Sequence, residues 1–214
     1  IAAGTKKITF VISASEEHNQ SNVRCSIAES LSMFKEVIKL CNISGRKIEV
    51  AGAIATSFGC SMQGSVDEIQ VLKLASSMAE GGADEINLAD TVGYANPSQV
   101  KSLFSKLRNY IGTIPMAAHF HDTRAMGLAN VVSALEADVR KFDATLAGLG
   151  GCPFAPGASG NIATEDCAYL LENMGFDTGI NIQELIVVRK HLSNILPNET
   201  LEGKLSVALP AINF

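Results

Sequence analysis

Short apolar runs alternate with longer amphipathic stretches along most of this chain. "KITFVIS" (Lys7–Ser13) is β-branched and largely apolar, the pattern of a buried strand. Ser26 and Glu29 make a capping box that opens a helix to about Leu40, with Ile27, Leu31, Phe34, Val37 and Ile38 at helical spacing. "IEVAGAI" (Ile48–Ile54) reads as a second strand. Ser65 and Glu68 are expected to cap a second helix, which Gly81 and Gly82 end. The unit then repeats. "EINLAD" (Glu85–Asp90) is a strand, and Asn96-Pro97 starts a helix running to about Tyr110. "PMAAHFH" (Pro115–His121) is a strand, Ala125–Ala137 a helix and "KFDATLAG" (Lys141–Gly148) a strand. Further helices are expected from about Thr164 to Met174 and from Asn181, with Glu184 three residues on; the tail reads as irregular.

Strand-helix alternation with nearly continuous apolar strands implies an α/β fold: a parallel sheet with helices packed outside. About five β-α units of roughly 35 to 40 residues fit either an open doubly wound sheet or a (β/α)8 TIM barrel. No GxGxxG follows the first strand, so the dinucleotide-binding open sheet lacks support. Polar residues close several successive strands (Asp90, His119, His121), which is the barrel-enzyme layout. The opening "IAAGTKK" reads like the last turn of a helix capped by Gly4. A barrel missing about its first two β-α units is therefore expected, with residues 1–214 forming one partial domain.

Composition narrows the class. The 214 residues suffice for one sizeable core, and 47% hydrophobic with 18% charged residues is an ordinary globular mix. The net charge of -5 argues against nucleic acid as a partner. No apolar run approaches the roughly 20 residues of a membrane span, so no membrane partner is expected. No secretory leader is visible in this sequence. Five widely spaced cysteines without a CxxC pair suit a reducing compartment.

The candidate chemistry begins in "MAAHFHDT" (Met116–Thr123). His119 and His121 are two apart on a strand, so both imidazoles point to one face at its carboxyl end. Such a pair suits a divalent cation; a hydrogen-bonded pair of strand-end histidines is the alternative. Asp122 could orient a ring or support the backbone. Asp90 ends the preceding strand, and its Asp-Thr repeats in Asp122-Thr123; each pair could instead only cap a turn. "AGLGGCPFAPGASGN" (Ala147–Asn161) holds five glycines, two prolines and Cys152, the composition of a binding loop or lid. Asn161, at its end, offers an amide oxygen suited to Mg²⁺ or Mn²⁺. Glu165 and Asp166 follow at a helix N-terminus, where dipole complementarity would by itself account for them. Cys60 lies past a strand end. Cys25, Cys41 and Cys167 read as packing residues. His18, in a polar loop, and His191, on a late helix, read as structural or solvated. Arg124 could meet an anion or simply be solvated.

"HFHDT" followed by "GLGGCPFAPGASGNIATED" resembles the 3-hydroxy-3-methylglutaryl-CoA lyases, of the metal-dependent (β/α)8-barrel lyase and synthase group. "ASE" (Ala14–Glu16), "NVRCSIAES" (Asn22–Ser30), "FGCSMQG" (Phe58–Gly64) and "ADTVGYANP" (Ala89–Pro97) extend the likeness over nearly the whole chain. The resemblance implies His119 and His121 as ligands of Mg²⁺ or Mn²⁺, with Asn161 a third. It implies Cys152 as acid-base catalyst, Asp90 facing the substrate and Glu165 in support. The reaction implied is retro-Claisen cleavage of an acyl-CoA to acetyl-CoA and acetoacetate, the chemistry of leucine degradation and ketone-body formation. A homodimer is also implied, in bacterial cytoplasm or, for a eukaryotic source, the mitochondrial matrix. Two features depart from the family. Its Arg-Asp-Gly first strand, which supplies a metal-binding aspartate, has no counterpart here; "SGRKIE" (Ser44–Glu49) is not that motif. "GCSMQG" stands where Gly-Cys-Pro-x-Glu-Gly is usual, which leaves other 3-hydroxyacyl-CoAs open as substrates. A condensing enzyme or aldolase of the same group, and an inactive partial chain, are the competing readings.

Overall fold

A computed structural model describes residues 3–151 and 160–208. Five strands, β1 (Lys7–Ser13), β2 (Glu49–Ala55), β3 (Glu85–Asp90), β4 (Met116–Phe120) and β5 (Lys141–Asp143), form one sheet. All pairs are parallel and the order is β1-β2-β3-β4-β5. Each new strand is thus added at the same growing edge. A doubly wound sheet reverses that direction at a switch point; this one never does, and it is a section of barrel wall.

The helices are α1 (Glu16–Val23), α2 (Ile27–Ile43), α3 (Glu68–Glu80), α4 (Pro97–Ile111), α5 (Gly127–Glu136), α6 (Thr164–Asn173) and α7 (Ile182–Ile195). One face of the sheet carries Ile12, Val50, Ile54, Ile86, Leu88, Met116 and Phe120. These pack with Phe34 of α2, Met78 of α3, Phe104 of α4 and Val131 of α5 in a single core. Burying these side chains, at roughly 1.5–3 kcal/mol each, is what binds helices to sheet.

The opposite, lumen face is not apolar, unlike the near-continuous runs expected. At its amino end Lys7 sits 3.2 Å from Glu49 and 2.8 Å from Glu85, and Lys141 also pairs with Glu85. Burial pushes the Glu85 carboxyl up, but the two lysines outweigh it and hold it below its ordinary range. Small residues fill the middle: Ala53 and Ala117 flank Asn87, and Ala51 lies beside Glu85. At the carboxyl end His119 stands in register with Asp143.

Several elements differ from the sequence reading. Residues 16–23 form a helix, not a loop: the Ser15 side chain accepts from His18 N and caps it. The cap of α3 is Asp67, whose side chain accepts from Ile69 N, not Ser65. Helix α5 starts at Gly127, whose N–H donates to Asp122. Strand β5 stops at Asp143. Beyond it Thr145 donates its hydroxyl hydrogen to Leu149 O, and a 3-10 turn spans Leu146–Gly148 with Ala147 at φ 59°.

Candidate active site

Strand β4 delivers both histidines. Their ring centroids are 5.3 Å apart, so the rings converge as the period-two spacing requires. His121 is 5% exposed, while the His119 side chain keeps 29%. Burial first, and the neighbouring His119 second, lower His121 to about 4, which keeps its imidazole neutral at physiological pH.

Asn161 arrives from the far end of the glycine-rich segment. His121 and Asn161 form an antiparallel bridge, with Asp122 N donating to Gly160 O and Ile162 N to Phe120 O. The Asn161 amide nitrogen donates to Leu149 O at 2.7 Å, which turns its oxygen away from the loop base. Gly150 must be glycine: its φ is 108°, and a Cβ there would lie 2.7 Å from Asn161 Nδ2.

Three side chains thus converge at the sheet's carboxyl end. His121 Nδ1 and Asn161 Oδ1 are buried and have no hydrogen-bond partner among the described residues. A buried imidazole nitrogen and a buried amide oxygen left without partners are costly unless something occupies them. Imidazole nitrogen and amide oxygen together fit a small divalent cation. Among the described residues no three His, Cys, Asp or Glu side chains cluster closely enough to hold one. The Asn161 amide oxygen is the unpartnered buried acceptor beside the two imidazoles.

Asp90 does not join this group. It points to the helix side of β3, in register with Phe120, and is 1% exposed. Its oxygens accept from Tyr94 N (2.8 Å) and Ala95 N (3.0 Å). Burial raises the Asp90 carboxyl to about 6, against the pull of those amides. In this structure Asp90, like Asp122, caps a turn. Glu165 is fully buried and supports the loop base. One oxygen accepts from Ala147 N at 3.0 Å, the other from Arg189 Nε at 2.7 Å. Arg124 is tied to the β3–α4 loop, donating to Val92 O and Gly93 O and stacking on Tyr94. His18 is buried, 2.6 Å from Ser13 Oγ, and His191 is exposed. Cys60 is also buried, beneath the strand end and not exposed on it. Cys152 lies outside the described residues.

Sequence reasoning missed Asp143 and Asn87. Asp143 Oδ2 is 3.6 Å from His119 Nδ1 and accepts from Asn87 Nδ2 at 2.7 Å. The His119 contact first, and the Asn87 amide with it, hold the carboxyl of Asp143, whose side chain is 57% exposed, below its ordinary range. The only signal was the shared parity of Lys141 and Asp143, which means little until the β4–β5 register is known.

A parallel barrel wall with two imidazoles and an amide oxygen gathered at its carboxyl end is the layout of an α/β-barrel enzyme. The HMGL-like family profile matches residues 1–192, and the chain belongs to that family. It is 40% identical over 191 residues to the hydroxymethylglutaryl-CoA lyase of Pseudomonas mevalonii, covering 89% of this chain and 63% of that one. It is 37% identical over 216 residues to hydroxymethylglutaryl-CoA lyase YngG of Bacillus subtilis, covering 100% and 68%. Among solved structures, the HMG-CoA lyase of Acinetobacter baumannii in complex with coenzyme A and 3-methylmalate superposes with a TM-score of 0.91. It is 39% identical, covering 99% of this chain and 70% of that one. The chain therefore spans 63% to 70% of the length of these relatives.

Proposed function

We propose that the protein to which this chain belongs is a divalent-metal-dependent carbon-carbon lyase that cleaves 3-hydroxy-3-methylglutaryl-CoA, or a close 3-hydroxyacyl-CoA, to acetyl-CoA and acetoacetate. The observation that carries this is the pair of buried polar atoms without a partner among the described residues, His121 Nδ1 and Asn161 Oδ1, beside His119 at the sheet's carboxyl end. Family membership and the lyase relatives support the same reaction class.

His119, His121 and Asn161 would hold the cation. Bound Mg²⁺ or Mn²⁺ supplies Lewis acidity that lowers the pKa of a tertiary hydroxyl and offsets negative charge on oxygen. His121, neutral by burial, stays a donor at working pH. Removal of the hydroxyl proton, scission of the carbon-carbon bond and protonation of the resulting acetyl-CoA enolate at carbon complete the cleavage. Cys152 is assigned the proton transfer, since a thiol near its working pKa can move a proton either way. Glu165, through Ala147, fixes the near end of the segment that bears Cys152. The acyl-CoA partner draws on the coenzyme A bound by the Acinetobacter relative. A homodimer, and a bacterial cytoplasmic or mitochondrial location, go with this reading.

Two substitutions in the intact protein test it. His121→Ala should weaken Mn²⁺ binding by more than the roughly 10- to 100-fold lost with an outer partner of a ligand. Cys152→Ser should keep Mn²⁺ affinity and lose about 10²- to 10⁴-fold in turnover. A fully active Cys152→Ser protein would overturn the assignment of Cys152.

A further inference from the structure

His119 differs from His121 in having a carboxylate at its ring, and the inference drawn from this rests on reading His119 as a metal ligand. Parallel register sets Asp143, the last residue of β5, directly beside His119 on β4. Asp143 Oδ2 lies 3.6 Å from His119 Nδ1, a close electrostatic contact slightly long for a full hydrogen bond. The same oxygen accepts from Asn87 Nδ2 at 2.7 Å. Chemistry fixes which way that amide faces, because only its NH₂ can meet a carboxylate.

Asn87 is 4% exposed in β3, and its Oδ1 is buried without a partner among the described residues. Leaving a buried amide oxygen bare costs stability. Holding Asp143 is the interaction this residue makes in return. Lys7 and Lys141, the cations of the lumen face, bind Glu49 and Glu85 instead. Three adjacent strands thus contribute a row, Asn87–Asp143–His119, that leads to the metal-site histidines. A carboxylate beside Nδ1 favours the tautomer protonated there and leaves the Nε2 lone pair for a cation.

We propose that Asp143, held in place by Asn87, is the positioning residue that locks His119 in its Nδ1–H tautomer and leaves Nε2 as the metal-binding atom. Nothing in the sequence motif "HFHDT" marks this residue; the strand register does.

The test uses the intact metal-free protein. Mn²⁺ affinity is read from the paramagnetic resonance of free Mn²⁺, and the His119 tautomer from its ring ¹⁵N shifts. Asp143→Asn should weaken Mn²⁺ binding by about 10- to 100-fold and move the His119 signature away from Nδ1–H. Asn87→Ala should do both to a smaller degree, and it carries the test if Asp143→Asn fails to fold. A merely structural role would lower stability and leave the tautomer where it is. Wild-type affinity and tautomer in the folded variants would overturn the proposal. His119→Ala separates the two levels. If it loses Mn²⁺ while Asp143→Asn does not, the positioning role alone falls. If it binds Mn²⁺ like the wild type, His119 is no ligand, and both readings fall together.

Discussion

Two buried groups near the strand ends titrate in opposite senses. His121 is lowered from 6.5 to about 4 by burial. Between those values the unfolded chain binds a proton that the folded one refuses, so stability is lost as pH falls through that window. Asp90 is raised from 3.8 to about 6, again by burial. There the folded state binds the extra proton, so stability is lost as pH rises from about 4 to 6. Each effect is on the order of 3 kcal/mol, and over their shared window they oppose one another. In metal-free protein, Asp90→Asn should unmask a fall in melting temperature on acidification from pH 6.5 to 4. His121→Gln should unmask a rise over the same range. Melting curves of both variants across pH 4–7 check this; identical pH profiles in the two would contradict it.

Among the elements, β2 shows how little room the outer face leaves. A Cβ on Gly52 would lie 2.8 Å from Met78 Cε and 3.3 Å from Ile86 Cδ1, in the seam between α3 and the sheet. Gly52→Ala should therefore destabilise the fold by about 1–3 kcal/mol through overpacking, read from the urea midpoint at unchanged m-value. Element bounds were legible from sequence where the pattern or a cap was clear: strands Lys7–Ser13 and Glu85–Asp90, the Ser26 capping box and the Asn96-Pro97 helix start stand as read, although β1 is largely half-exposed and not the buried strand expected. Helix α1 was not, because "EEHNQSNV" has no apolar periodicity; its signal was the Ser15 cap, and buried Asn19 bonding Ser13, Cys25 and Ser30 holds it. The end of β5 was hidden as well. It depends on Glu165 reaching back to a left-handed Ala147, a contact 18 residues away in sequence. That the His119 and His121 rings share one face was readable from their spacing; that Asn161 comes to lie beside His121 was not. Asp143 and Asn87 required the sheet register, as did the helix-side placement of Asp90 opposite Phe120.

Over the whole molecule, a buried ion pair ties α7 and the described tail to α6. Arg189 on α7 has a 12% exposed side chain and binds fully buried Glu165, Leu201 O and Glu202 O. The tail returns the contact: Glu202 N donates to Ala147 O, and Lys204 N and Leu205 N donate to Asp166. Arg189→Ala leaves a buried carboxylate unpaired and should cost about 3–5 kcal/mol. Adding Glu165→Gln should recover part of that loss in the same denaturation experiment. The wider consequence is that strand direction, not any one motif, gathers the chemistry. Because all five strands are parallel, every strand's carboxyl end lies on one rim, where His119, His121 and Asn161 meet. The central claim is that this rim holds a cation needed to cleave an acyl-CoA. It is tested most directly by following acetoacetate and acetyl-CoA formation from 3-hydroxy-3-methylglutaryl-CoA by the intact native protein, first stripped with a chelator and then given Mg²⁺ or Mn²⁺. The account predicts no turnover in the stripped protein and its return with the cation. Full turnover without a cation, or none once Mn²⁺ is bound, would contradict it.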